Sequence, residues 1–81
     1  MRVRVLFFGR LREVAGCAED WAEVAAGARV EDVFAQYAKA TPRVGEFRGS
    51  LAASVNEEYA GWDAALKDGD EVAFLPPVSG G

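Results

Sequence analysis

The residues best suited to chemistry stand together at the end of the chain, Pro76-Pro77-Val78-Ser79-Gly80-Gly81. Gly81 offers a carboxylate with no side chain beside it, and glycine raises no steric wall against attack on its carbonyl. A carboxylate is inert until activated; as an acyl-adenylate it accepts sulfur or an amine. The two prolines favour stiff, extended polyproline II, so the tail is expected to project from what precedes it. Such a tail suits a chain that is itself a substrate, threaded into narrow pockets of other proteins. Two terminal glycines arise by chance in roughly 0.5% of chains, and a loose terminus is their plainer reading. The surroundings argue against it: the segments leading to the tail end in outward-facing apolar residues, Phe8 and Leu75, and large exposed hydrophobes beside a projecting tail mark a docking site.

Composition removes most other chemistry. With no His and one Cys, the common zinc sites and the Ser-His-Asp and Cys-His catalytic units are excluded. The net charge of −4 argues against a nucleic-acid partner. No apolar run approaches the roughly 18–20 residues of a membrane span, and Met1-Arg2-Val3-Arg4 lacks the apolar stretch of a signal peptide. A single cysteine forms no internal disulfide, so the chain is expected to be cytoplasmic. At 81 residues, 51% of them hydrophobic, it is one small domain with a thin core.

The elements that must position the tail follow from periodicity. Arg2 to Phe8 alternates as a strand, with Val3, Val5 and Phe7 on one face and Arg2, Arg4, Leu6 and Phe8 on the other. Leu11, Val14 and Ala15, bracketed by Gly9 and Gly16, predict a short helix. Ala18 to Ala25 reads as a second strand through Trp21 and Val24, with Trp21 and Trp62 read as core or partly buried. Val30, Val33, Phe34, Tyr37 and Ala38 predict the main helix, Val30 to Ala40, with Glu31 and Asp32 favouring its first turn and only Ala28 or Arg29 to cap it. Thr41-Pro42 ends that helix, Arg43 to Gly49 is a connection, and Leu51 to Asn56 is a third strand. A turn at Asn56-Glu57-Glu58 leads to a short strand or turn from Tyr59 to Trp62. Gly69 supplies the positive φ of a tight turn, and Glu71 to Leu75 is the last strand, with Val72 and Phe74 inward and Ala73 and Leu75 outward. The sum is an α+β domain over residues 1–75, a sheet carrying one main helix on one face, with residues 76–81 as its tail.

The run Leu66-Lys-Asp-Gly-Asp-Glu-Val-Ala-Phe-Leu-Pro-Pro-Val-Ser-Gly-Gly81 resembles the C-terminal signature of the small, sulfur-carrying subunits of molybdopterin synthase. Val3-Arg-Val-Leu-Phe-Phe-Gly-Arg-Leu-Arg-Glu13 is similar to the first strand and helix of that family. The resemblance covers essentially the whole chain. It implies a ubiquitin-like β-grasp fold, a mixed sheet whose first and last strands lie side by side and parallel. It also implies that an E1-like adenylyltransferase, using ATP and magnesium, activates Gly81, and that sulfur from a persulfide-bearing protein then makes a C-terminal thiocarboxylate. That sulfur would pass to cyclic pyranopterin monophosphate inside the large catalytic subunit of a heterotetramer. On the same footing, Gly81 carries the sulfur, Gly80 keeps the tail slim, and Pro76, Pro77, Val78 and Ser79 line the tunnel entrance. Phe8, Arg12, Tyr59 and Leu75 match positions that face the large subunit. No metal or cofactor is implied for this chain itself.

Several residues invite sharper readings than they support. Cys17 is read as a small hydrophobe rather than a persulfide carrier, since nothing nearby in sequence would stabilise a thiolate. Arg10 and Arg48 are read as solvated charges, with Arg12 the better candidate for meeting a partner. Lys39 and Lys67 serve solubility before conjugation. Other functions remain open on the sequence: a carrier for thiamin, cysteine or tRNA thiolation, a modifier joined through Gly81 to lysines, or a binding domain with an idle tail.

Overall fold

The computed structural model describes residues 1–77; Val78, Ser79, Gly80 and Gly81 lie outside the described residues. At its centre two apolar strands run parallel, β1 (Arg2–Phe7) and β5 (Glu71–Leu75), in the register Arg4 to Glu71 through Phe7 to Phe74. Val3, Val5, Phe7, Val72 and Phe74 turn inward from this pair, each at most 1% exposed. β2 (Glu19–Glu23) pairs antiparallel with β1, and β3 (Ala52–Val55) antiparallel with β5. With β4 (Glu58–Ala60) beyond β3, the sheet order is β2-β1-β5-β3-β4. First and last strands therefore lie side by side and parallel, as expected. Parallel neighbours need a crossover, and all the intervening chain supplies it.

The main helix, α2 (Val30–Ala40), buries Val30, Val33 and Phe34 against the sheet, with Tyr37 and Ala38 half-buried along the same stripe. Its cap is unusual. Arg29 offers no capping side chain, but the Asp32 carboxylate reaches back to accept the Arg29 N–H at 2.8 Å, which satisfies one donor that a helix start leaves open. Beneath α2 the core is aromatic: Phe74 meets Phe34 edge-on at 5.3 Å and lies against Trp62 at 5.9 Å, nearly parallel to it. Offset and edge-on rings at these separations add to what area burial contributes.

Two short helices accompany α2. α1 (Gly9–Ala15) buries Leu11 and closes on Gly16 in the left-handed region, φ 85°. The connection expected over Arg43 to Gly49 contains α3 (Pro42–Gly45), which buries Val44, and runs into a 3-10 turn at Arg48–Ser50. Proline at the first helical position gives up no hydrogen bond, so Pro42 both ends α2 and starts α3. The β3–β4 hairpin turns on Asn56 and Glu57, with φ values of 51° and 71°, the double positive φ of a type I′ hairpin loop. Asn56 also ties the hairpin to β5: its amide donates to Asp70 Oδ1 at 2.9 Å and its Oδ1 accepts the Glu71 N–H at 3.0 Å.

One expectation is corrected. Trp21 is half-exposed, at 50%, because β2 turns Ala22 and Val24 inward and leaves Trp21 on the opposite face, under the Arg2 guanidinium 4.7 Å from its ring. Ala73, read as outward, does face away from the core but is buried at 7% by its neighbours on that face. Trp62 is partly buried and packs against the core, as expected.

Tyr37 joins α2 to β2. Its ring stands edge-on to Phe7 at 5.0 Å, and its hydroxyl donates to Asp20 Oδ2 at 2.9 Å. Burial first, and the Asp20 carboxylate second, push its pKa well above the ordinary tyrosine value. The neutral hydroxyl's contribution is therefore intact below pH ~10 and is lost as pH rises through the folded-state value. Tyr37→Phe is expected to cost about 1 kcal/mol at neutral pH and to lose stability less steeply than wild type above pH 10 (the reference tyrosine value, about 10). Urea denaturation at a series of alkaline pH values checks this; equal slopes would refute the assigned role.

Candidate functional site: the open sheet face at the tail root

The helices cover one face of the sheet and leave the other open. Register decides what that face carries, because directly paired residues share a side. One row runs Leu6, Ala73, Ser54, Tyr59 across β1, β5, β3 and β4, and the next pairs Leu75 with Ala52. By alternation Phe8, one step past β1, follows Leu6 onto this side next to Leu75. Of these, Tyr59 is 82% and Phe8 45% exposed, Leu75 is half-buried, and Ser54 lies buried between them. Phe8 and Leu75, read as outward strand ends, and Tyr59, named only through the family resemblance, thus lie on one open face.

The same face is charged at its other end. Arg4 reaches Glu19 Oε2 at 2.8 Å through its Nε and Glu71 Oε2 at 3.4 Å through an outer nitrogen. The hydrogen bond to Glu19 leads in raising the Arg4 pKa further. Charge thus occupies the end where β5 begins, and apolar surface the end where it finishes.

At the apolar end the chain departs through Pro76 and Pro77. Pro76 is half-buried against the turn that opens α1: Gly9 has φ +56°, and a methyl group placed on it would stand 3.0 Å from Pro76 Cγ. The contact between Gly9 and the tail root was not foreseen from sequence; its one sequence signal is a glycine directly after the strand that ends beside β5. Arg12 is exposed on α1, outside the sheet face, where it borders a shallow hollow with Glu13, Gly16, Cys17 and Ala18. Its backbone N–H donates to the Phe8 carbonyl at 3.3 Å.

The described residues hold no cluster of three or more Cys, Asp or Glu side chains that could bind a metal ion. The Cys17 thiol is pushed up first by burial and then by Asp20, so it stays protonated at neutral pH and is a poor nucleophile. What the site offers is exposed apolar surface beside the root of the tail.

A family profile matches residues 5–81, and it is that of the ThiS family. The chain belongs to the ThiS family. Among family relatives, the molybdopterin synthase sulfur carrier subunit of Chlamydomonas reinhardtii is 43% identical over 83 residues, covering 100% of both chains. Among solved structures, a putative molybdopterin converting factor subunit 1 from Pyrococcus furiosus is 35% identical, with a TM-score of 0.86 over 96% of this chain and 99% of that one. Small archaeal modifier protein 1 from Methanosarcina acetivorans is 32% identical, with a TM-score of 0.81 over 99% and 96%. A chain in the complex of subunits 1 and 2 of the molybdopterin-converting factor from Helicobacter pylori is 29% identical, with a TM-score of 0.72 over 100% of both. The fold is the ubiquitin-like β-grasp expected from sequence, with two short helices beside the main one.

Because Phe8 is exposed and outside the core, Phe8→Asp is expected to move stability by no more than about 0.5 kcal/mol. A urea midpoint close to wild type checks this; a large loss would show that Phe8 serves the fold rather than the open face.

Proposed function

We propose that this ThiS-family chain is the cytoplasmic sulfur carrier subunit of a molybdopterin synthase. The observation that carries the reading is the junction of an apolar open face, centred on Phe8 and Leu75, with the root of a tail whose sequence ends in Gly80-Gly81. Full-length similarity to a named sulfur carrier subunit supports it, as does similarity to a chain solved together with subunit 2 of the molybdopterin-converting factor.

In this reading an E1-like adenylyltransferase joins the Gly81 carboxylate to AMP, with pyrophosphate leaving from MgATP. The outer sulfur of a persulfide-bearing protein then displaces AMP to give an acyl disulfide, and a second thiol attacks the donor's sulfur, forming a disulfide with it and releasing the C-terminal thiocarboxylate. The open face docks on the large catalytic subunit, with Phe8, Leu75 and Tyr59 as its apolar contacts and Arg12 at the margin. Pro76, Pro77, Val78 and Ser79 enter the tunnel, and Gly81 delivers sulfur to cyclic pyranopterin monophosphate. Two deliveries complete the dithiolene, and two small chains cap a dimer of large subunits. ATP and magnesium belong to the activating enzyme. The acids and bases belong to the large subunit, in keeping with a chain that has no His and one protonated Cys.

A second reading, favoured by the similarity to small archaeal modifier protein 1, is that Gly81 forms isopeptide bonds to lysines. The adenylate is common to both.

The test is intact-mass spectrometry after incubation with the activating enzyme, MgATP and a sulfur donor. One oxygen of Gly81 is expected to be replaced by sulfur, with a thioacid-selective tag separating this from oxidation of Met1 or Cys17. A chain lacking Gly81 should remain unmodified. Lysine conjugates without thiocarboxylate would favour the modifier; no adenylate at all, with an enzyme proven on another carrier, would overturn both. Phe8→Asp should weaken binding to the large subunit by at least roughly tenfold, since truncating a central apolar anchor typically costs over 1 kcal/mol. Isothermal titration checks it.

A further inference from the structure

The sheet has two edges, and they differ. β2 carries Glu19, Asp20 and Glu23 among its five residues, and charge is one means by which edge strands resist pairing with another chain. β4, at the other edge, is Glu58-Tyr59-Ala60, with a single acid. Its free backbone groups follow from register. The Asn56 N–H donates to the Glu71 carbonyl, so the even-numbered residues of β3 bond towards β5, and Ala53 and Val55 bond towards β4. Their partners, Ala60 and Glu58, therefore turn their backbone groups inward. Tyr59, opposite Ser54, belongs to the non-bonded pair of the antiparallel ladder, and its N–H and C=O point out of the sheet. No described residue bonds to them, and Tyr59 is 82% exposed.

This edge is complementary to itself. Two copies set antiparallel about a two-fold axis through Tyr59 bring the one outward residue of each β4 together, and each Tyr59 N–H meets the other's carbonyl. Glu58 then comes opposite Ala60 of the second copy, so no charge directly faces a like charge. Paired residues share a side of the sheet. The incoming Glu58 therefore stands beside the hollow that Ala60 lines together with Lys67. Lys67 makes no ion pair among the described residues, where Arg4 makes them all. The two Tyr59 rings fall on one side as direct neighbours, an aromatic cross-strand contact that favours pairing.

We propose that β4 is a self-association edge, through which two copies of this chain pair at Tyr59 and join their five-stranded sheets into one of ten strands. The arrangement is isologous and closes on itself. Three residues a side bury little surface, so the pairing is weak and reversible, below the size of a stable dimer interface. β3 separates β4 from β5, so pairing at the edge leaves Phe8, Leu75 and Pro76 uncovered and both tail roots available. The acids of β2 guard the two outer edges that remain, which keeps the paired sheet from growing into a fibre. The inference is independent of what Gly81 carries.

Sedimentation equilibrium of the full-length chain, from about 10 µM to about 1 mM, should show an average mass rising towards twice that of one chain. Over the same range the amide signals of residues 57–61 should shift in NMR spectra, and the Tyr59 N–H should gain protection from exchange. Tyr59→Lys keeps the bonds between β3 and β4 but sets like charges opposite each other. Tyr59→Pro removes the outward donor at a position where an edge strand accepts proline. Each should weaken association at least roughly tenfold, with a urea midpoint near wild type, whereas Tyr59→Phe should associate as wild type does. Trp21→Lys makes the same change of charge on the β2 edge and should leave association intact, which separates the edge from net charge. A chain that stays monomeric throughout the range would overturn the proposal. So would shifts centred on Phe8 and Leu75 or on β2, or association undiminished in Tyr59→Lys.

Discussion

The parallel pairing of β1 with β5 is the constraint on which the rest depends. Two strands from opposite ends of the chain can be parallel neighbours only if everything between them forms the crossover. β2, α2, α3, β3 and β4 are packed into that one connection, and α2 is the part long enough to roof the sheet. The pairing also fixes where β5 stops. With Phe7 opposite Phe74, the strand ends together with β1 and passes into Pro76 beside the α1 turn. That the chain leaves the sheet through Pro76 at an apolar corner is thus a consequence of register in the core.

The two faces of the sheet do different work with the same strands. Inward residues are large and fully covered, and the aromatic group of Phe7, Phe34, Trp62 and Phe74 concentrates that burial under α2. A domain of this size cannot roof both faces. Its open face is instead divided along the strands: Arg4 and Glu71 pair at one end, with Glu19 reaching Arg4 from the row of Leu6, and Leu75 and Phe8 stand at the other. Ion pairs between exposed groups contribute little stability. Their placement matters more, since a charged end cannot join a dry interface without cost, which leaves the apolar corner beside Pro76 as the part of this face suited to one.

Much of the fold was legible because its signals rest on large residues. Val30, Val33, Phe34 and Tyr37 set the bounds of α2, and Val72 with Phe74 set the parity of β5. Trp21 was misread because Trp21 and Val24 are three apart and cannot share a face of a strand; the inward partner of Val24 is Ala22, too small to announce itself. α3 escaped notice because four residues cannot display a helical period, and Val44 alone is buried in it. The site was legible in its parts. Phe8 and Leu75 could be matched through the two strands that end together, whereas Tyr59, tied to Ser54 by a local hairpin, joins them only through the pairing of β3 with β5, which no local pattern encodes.

A carrier built in this way separates stability from function to an unusual degree. Most small enzymes must keep strained or buried polar groups near their cores for chemistry, and these detract from stability. Here every buried side-chain nitrogen or oxygen among the described residues has a hydrogen-bond partner, and the core lining is almost wholly apolar. The residues proposed to act lie on the open face or in the tail, outside the fully buried core. Recognition can then vary over the surface while β1, β5 and α2 stay as they are. One scaffold with one tail chemistry can in that way be presented to different partners, and the surface around the tail root decides which of them receives it.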